Sequence, residues 1–107
     1  MSVATSKTLL SASTSTGAGS VVARAPAIKT FHLTGTTTAG AGAATVYVQV
    51  SNDNANWITA ATLSLTLGTT ATSDGCVIDA PWTFIRGNVN AISGTGASVS
   101  LHMGYVE

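Results

Sequence analysis

One segment constrains the fold more than any other, the stretch Val46–Trp57, which reads V-Y-V-Q-V-S-N-D-N-A-N-W. Successive side chains of a β-strand point to opposite faces, so the valines are predicted to face a core while Tyr47 and Gln49 face outward. Residues 51–56 are predicted to form a turn, because Asn and Asp side chains bond nearby backbone amides and tolerate positive φ. Trp57 is predicted to open the next strand and to pack into the core beneath the turn. The segment therefore indicates an all-β protein.

The rest of the chain offers a strand candidate about every 10 to 15 residues, while residues that favour helices are scarce. Strands are predicted at Ile28–Thr34, Val46–Val50, Trp57–Leu67, Cys76–Asp79, Trp82–Ala91 and Val99–Tyr105. Polar, glycine-rich loops are predicted at Gly35–Ala43, Gly68–Gly75 and Ser93–Gly96. Seven or eight strands, each with one apolar face, predict an antiparallel β-sandwich of two packed sheets, with a jelly roll as the candidate arrangement.

Alternation also assigns the faces of these strands. Inward positions are predicted for Phe31, Leu33, Leu63, Leu65, Leu67, Ile85, Val89, Ala91, Val99, Leu101, Met103 and Tyr105. The opposite faces are predicted to carry Thr30, His32, Phe84, Arg86, Asn88, Ser100, His102 and Gly104. The single cysteine, Cys76, precedes two aliphatic residues, and a buried apolar role is predicted for it because free cysteine is usually buried.

The first 25 residues are rich in Ser, Thr and Ala, and two interpretations of them stay open. One is a hairpin between Thr8–Thr14 and Ser20–Arg24, and the other is a flexible arm that becomes ordered on a partner. Pro26 cannot donate a backbone hydrogen bond, so it is predicted to mark a sheet edge or a strand start. The chain is thus divided into residues 1–25, an arm or hairpin, and residues 26–107, the sandwich domain.

The charge balance argues against several classes of function. Only 7% of the 107 residues are charged and the formal net charge is zero, whereas 45% are hydrophobic, which indicates a folded domain. The basic residues are too few and too scattered for a nucleic-acid-binding patch; they are Lys7, Arg24, Lys29 and Arg86. No apolar run has the length of a membrane helix, and no signal peptide is evident. We expect a protein made in the cytoplasm that stays soluble or joins an assembly, without nucleic-acid or membrane partners, and that associates readily because charge repulsion is absent.

No motif for catalysis, cofactor binding or metal binding is evident. The carboxylates form no acid/base pair in the sequence; they are Asp53, Asp74, Asp79 and Glu107. His32, His102 and Cys76 lie singly on separate predicted strands, without the short spacing of zinc ligands. The turn at residues 51–54 has one carboxylate and lacks the glycine and distal Glu of a calcium loop. We therefore expect no enzymatic activity, no cofactor and no metal.

Two longer motifs resemble those of small virion proteins of tailed phages. The first is Val48–Trp57 (V-Q-V-S-N-D-N-A-N-W), and the second is Trp82–Gly96 (W-T-F-I-R-G-N-V-N-A-I-S-G-T-G), which a Val/Leu strand follows. Over about residues 20–107 the chain looks like a capsid decoration (cement) protein or another accessory virion β-sandwich. It departs from that pattern at Asp53-Asn54, where such relatives commonly have Asp-Gly, and this difference alters the turn geometry.

The resemblance implies a mechanical function on the outer surface of a phage capsid. Many copies would bridge neighbouring capsomers and resist the pressure of packed DNA, with the major capsid protein and further copies of the chain, as a dimer or trimer, as partners. On this view the segment 1–25 adds contacts on the shell, and its removal is expected to spare the fold and to weaken capsid binding.

Four residues are candidates for the interface, because aromatic residues and Arg are enriched in protein interfaces; they are Tyr47, Trp82, Phe84 and Arg86. Arg86 is also expected to pair with Asp79 near Pro81. Two alternatives stay open: a receptor- or carbohydrate-binding module of a tail fibre or adhesin, and a tail-tube or connector subunit. The carbohydrate-binding alternative requires an exposed tryptophan beside the Asn/Asp-rich turn at residues 51–56.

Overall fold

The computed structural model describes residues 4–23 and 28–106, which contain nine β-strands. In chain order the strands are β1 (Ala4–Ser13), β2 (Gly17–Ala18), β3 (Val22–Ala23), β4 (Ile28–Thr36), β5 (Ala39–Ser51), β6 (Ile58–Leu67), β7 (Thr72–Asp79), β8 (Phe84–Thr95) and β9 (Ser98–Val106). Pro26, Arg24 and Glu107 lie outside the described residues. Within the described ranges, no helix has the length and apolar character required to cross a membrane.

The strands form two antiparallel sheets, which confirms the predicted β-sandwich. One sheet has the order β1-β9-β4-β7, and the other has the order β2-β8-β5-β6 with β3 also paired to β8. Because β2 and β3 pair with successive parts of β8, they act as one interrupted edge strand. Between the described strands, each connection then passes to the opposite sheet except the one from β5 to β6. This is the strand order of a jelly roll.

The core lies between the sheets and consists of the apolar residues that alternate along each strand. The alternation predicted for β4, β5, β6 and β9 is confirmed, since their inward residues are buried, except for the half-buried Tyr105, and their outward neighbours along most of each strand are more exposed. The fully buried apolar side chains include Leu9, Leu33, Val46, Val48, Val50, Leu67, Ile85, Val89, Val99, Leu101 and Met103. Burial of each such side chain contributes roughly 1.5–3 kcal/mol relative to exposure.

Three predicted loops are shorter in the structure, because strands extend into Thr/Ser/Gly-rich sequence. β5 begins at Ala39, β7 begins at Thr72, and β8 continues to Thr95. The inward assignment of Ala91 is wrong: Ala91 is exposed. The register shifts between the pairs Thr45–Ala91 and Val46–Val89, which leaves an extra residue on β8 and reverses the faces beyond it.

The described part of the N-terminal segment belongs to the sandwich. The predicted hairpin is not formed, because β1 pairs with β9 while β3 pairs with β8. Leu9 and Leu10 are consecutive and both are buried. The register of β1 shifts between Thr8 and Leu10, and this β-bulge turns both leucines towards the core. Residues 4–23 therefore supply an edge strand to each sheet, together with core side chains.

Candidate functional site

The outer side of the five-stranded sheet carries a group of large planar side chains. We call it the aromatic face; it consists of Tyr47, Gln49, Trp57, Phe84, Arg86 and Asn88, all half-buried. The aromatic face results from the register of β5 with β8, which places Tyr47 opposite Asn88 and Gln49 opposite Arg86. Directly opposite side chains of antiparallel strands lie close enough to interact. The aromatic face is therefore built mainly from the outward halves of β5 and β8.

Arg86 is the centre of this face. Its Nε donates a hydrogen bond of 2.9 Å to Oε1 of Gln49, and Nδ2 of Asn88 lies 3.4 Å from the same oxygen. The guanidinium carbon is 4.3 Å from the centroid of the Trp57 ring, a cation–π contact. Gln49 and Trp57 thus hold the guanidinium from two sides.

The turn at residues 51–56 adjoins the aromatic face and is organised by Asp53. Oδ1 of Asp53 accepts hydrogen bonds from the backbone amides of Ala55 and Asn56, at 2.9 and 2.8 Å, and from the Ser51 hydroxyl. These bonds hold the pKa of Asp53 far below its ordinary value. The largest effects come from the backbone amide and the side-chain amide of Asn56, followed by the backbone amide of Ala55 and the Ser51 hydroxyl. The predicted Asx-type turn is confirmed, and Asn54 takes the positive φ of 57°.

The structure separates the four predicted interface residues. Tyr47, Phe84 and Arg86 lie on the aromatic face, whereas Trp82 is half-buried in the β7–β8 connection and packs against the core. Trp57 was predicted in the core, but its ring stacks on Arg86 at the outer face. The predicted pair between Arg86 and Asp79 is also wrong, because Arg86 bonds Gln49 instead.

Asp79 lies near a different cation, Lys29, at one end of the sandwich. Lys29 occupies an inward position of β4, is 1% exposed, and donates from Nζ to the carbonyl oxygen of Ala80 at 2.8 Å. Burial lowers the pKa of Lys29, and the Asp79 carboxylate opposes that shift. Sequence reasoning missed this residue, although the alternation that places Phe31 and Leu33 inward also places Lys29 inward.

The other chemically reactive side chains lie on the four-stranded sheet. Cys76 is half-buried and packs against the core, and burial, with a smaller effect of Asp74, raises the pKa of its thiol. His32 and His102 are on the outer side of the same sheet, with ring centroids 6.5 Å apart. Within the described ranges no group of three or more His, Cys, Asp or Glu side chains could hold a metal ion.

The fold and the aromatic face define the class as a small jelly-roll sandwich with an organised outer face. No protein-family model matches the chain, and no curated protein sequence matches it. Similar solved structures include two phage-derived proteins. The SPBc2 prophage-derived protein YomS superposes with a TM-score of 0.65 at 15% identity, over 100% of this chain and 96% of that one.

The second similar structure is the PBSX exported protein XepA, with a TM-score of 0.56 at 15% identity. The match covers 94% of this chain but only 36% of XepA, so the fold occurs there as part of a longer protein. At such low identity these matches establish a shared fold. The structural neighbours are thus phage-derived proteins of the same β-sandwich architecture.

Proposed function

We propose that this protein is a non-enzymatic structural component of a phage particle, which decorates the capsid and bridges neighbouring capsomers through the aromatic face. The observation that carries this proposal is the Arg86 cluster, in which a guanidinium is held by Gln49 and Trp57 on an otherwise weakly charged molecule. Tyr, Trp and Arg are the residues that most often dominate binding energy in protein interfaces.

The construction of the aromatic face suits binding to a rigid protein surface. Most of its side chains project from the paired strands β5 and β8, so little conformational entropy would be lost when a partner binds. The guanidinium offers N–H donors to the carbonyl or carboxylate oxygens of a partner. Jelly rolls recur in viral capsid domains, and the phage origin of the structural neighbours agrees with such a role.

Attachment in many copies would compensate for a small contact. A single face of this size supports modest affinity, but copies linked to one another on a symmetric shell bind with much higher avidity. The zero formal net charge removes the repulsion that would oppose dense packing of copies. We accordingly propose the major capsid protein and further copies of this chain, as a dimer or trimer, as its partners.

A second candidate, a carbohydrate-binding module of a tail fibre or adhesin, is favoured by one specific observation. Trp57 directly follows the turn at residues 51–56, whose asparagine side chains include the exposed Asn54. A tryptophan ring beside amide groups is a surface on which a sugar ring can stack and bond. Arg86 already covers one side of the Trp57 ring, so a sugar would have to use the other side.

The decisive experiment locates the protein by cryo-electron microscopy of the phage particle that encodes it. We expect density at regular positions over the head, with the aromatic face against the shell. Purified Arg86→Ala protein should bind particles lacking the protein at least about tenfold more weakly than wild type, since such anchors contribute about 2 kcal/mol or more. Thr30→Val, on the outer side of the other sheet, is the matched control and should bind like wild type.

Other outcomes would replace the proposal. Density confined to the tail or its fibres, together with specific binding on a glycan array that Trp57→Ala abolishes, would favour the carbohydrate-binding module. Ring-shaped density at the tail tube or connector would favour a subunit of that structure. Equal binding of Arg86→Ala and wild type to the head would show that another surface mediates attachment.

A further inference from the structure

The four-stranded sheet brings together two histidines that are distant in the sequence. His32 on β4 and His102 on β9 are direct partners in a ladder without register shifts. The Cβ atoms of directly opposite residues on antiparallel strands are about 4.5–5.5 Å apart. The two rings are inclined at 48° with their centroids 6.5 Å apart, on the outer side of the sheet. Both imidazoles therefore occupy one small area of surface.

The surroundings of the pair suit metal coordination. Oγ1 of Thr8 lies 3.2 Å from Nδ1 of His102. When this hydroxyl accepts a hydrogen bond from Nδ1–H, the lone pair remains on Nε2, which is the tautomer of a metal-ligating histidine with a supporting acceptor. On the other side of the pair, the partner of His32 on β7 is Gly75, which has no side chain to restrict the ring.

We propose that His32 and His102 form a two-histidine binding site for a divalent transition-metal ion, with water completing the coordination. Metal–nitrogen bonds are about 2.0–2.1 Å long, so the two ligating nitrogens must approach to about 3 Å. Rotation about the side-chain torsions provides this approach, because one ring is exposed and the other half-buried. Imidazole ligands suit Cu²⁺, Ni²⁺ and Zn²⁺, and Cu²⁺ should bind most tightly of these.

The site differs from a structural zinc site. The described residues offer two protein ligands here rather than four, so the metal should exchange readily and the protein should fold without it. Cys76 does not contribute, because it pairs with Phe31, one position away from His32, and packs against the core instead of pointing to the outer side. The pairing depends on the register of β4 with β9, which the sequence spacing does not reveal.

Titration of the full chain with CuCl₂, without a polyhistidine tag, tests the proposal by calorimetry and by electron paramagnetic resonance. We expect one Cu²⁺ per chain with two nitrogen ligands, reversal by EDTA, and weaker binding of Ni²⁺ and Zn²⁺. His32→Asn and His102→Asn should each weaken Cu²⁺ binding at least about tenfold, because one imidazole of the chelating pair is lost.

A relocated histidine provides the matched control. The double variant His32→Asn/Thr34→His keeps two histidines on the same outer side, but residue 34 pairs with Ser100 and lies diagonal to His102. The separation between residues 34 and 102 rises to about 7–8 Å, and to somewhat less between their Cβ atoms, so Cu²⁺ binding should weaken relative to wild type. The proposal is overturned if wild type and His32→Asn/His102→Asn bind Cu²⁺ equally, or if the relocated histidine binds as tightly as wild type.

Discussion

The two outer sides of the sandwich arise from the same strand alternation, yet they differ in how their side chains are held. On the five-stranded sheet, long planar side chains bond one another around Arg86. On the four-stranded sheet, the outward residues are mostly short, such as Thr30 and Gly75, with the exposed aliphatic residues Ile28 and Val77 near one end. Two equally regular sheets thus carry one organised and one sparse outer surface, and the organised surface is the better candidate for binding another protein.

The largest expected effect concerns the edge of the four-stranded sheet. Deletion of residues 1–13 removes β1 with the buried Leu9 and Leu10. Each such loss typically costs about 2–5 kcal/mol, and the sum of about 4–10 kcal/mol approaches the whole stability of a small domain. The truncated chain should therefore be unfolded in circular dichroism. A chain that lacks only residues 1–3 is the control. Full-length-like melting of the 1–13 deletion would instead support the flexible-arm interpretation of the sequence.

A smaller effect is expected at Lys29, which lies between the two sheets. Lys29→Ala removes the stem and leaves the Ala80 carbonyl without this donor, so we expect a loss of about 2–4 kcal/mol in urea unfolding. Lys29→Met fills the volume without a buried charge and should remain within about 1 kcal/mol of wild type. If both variants are destabilised equally, the contribution of Lys29 to stability comes from its ammonium group rather than from the packing of its side chain.

The pH dependence of stability separates the contribution of the Lys29 ammonium group from that of the packing of its side chain. The pKa of Lys29 is lowered from 10.5 by burial, so the folded-state pKa lies below the unfolded-state pKa. Between these two values the unfolded chain binds more protons, and the stability of the wild type should rise with pH. Lys29→Met should lack this rise. An identical pH profile for both proteins would contradict the assignment to Lys29.

A direct test of the contrast between the outer sides compares one substitution on each. Arg86→Ala removes the bond to Gln49 and the stacking on Trp57, and should cost about 1 kcal/mol and shift the tryptophan emission. Thr30→Val, on the other sheet, keeps the β-branched shape and should change stability by less than about 0.5 kcal/mol. A similar loss of stability in the two variants would contradict the distinction between the organised and the sparse side.

The smallest effect is expected at the exposed turn beside the aromatic face. Backbone and side-chain donors depress the pKa of Asp53 below its ordinary value of 3.8. Its stabilising contribution is therefore present above that pH and is lost as the pH falls towards the folded-state pKa. Asp53→Asn should show a shallower decrease in melting temperature on acidification than wild type. If the melting temperatures of both proteins decrease in parallel on acidification, the decrease is due to other carboxylates.

Much of the fold follows from local pattern. The alternation at Val46–Val50 and at Leu63–Leu67 identified buried faces correctly, and the Asn/Asp content of residues 51–56 identified the turn. Local pattern failed where a bulge changed the phase, as at Ala91, and where an edge strand with one paired side tolerated polar sequence, as at Thr72–Gly75. Both failures occur where pairing with a neighbouring strand, rather than the strand's own sequence, decides the conformation.

The candidate sites show the same division between local and long-range information. The sequence by itself determined that Tyr47, Arg86 and both histidines face outward, because a strand repeats every two residues. Only the tertiary structure decided that Arg86 meets Gln49 and Trp57, and that His32 meets His102. These encounters depend on strand order and register between distant segments, which are set by the packing of the whole core.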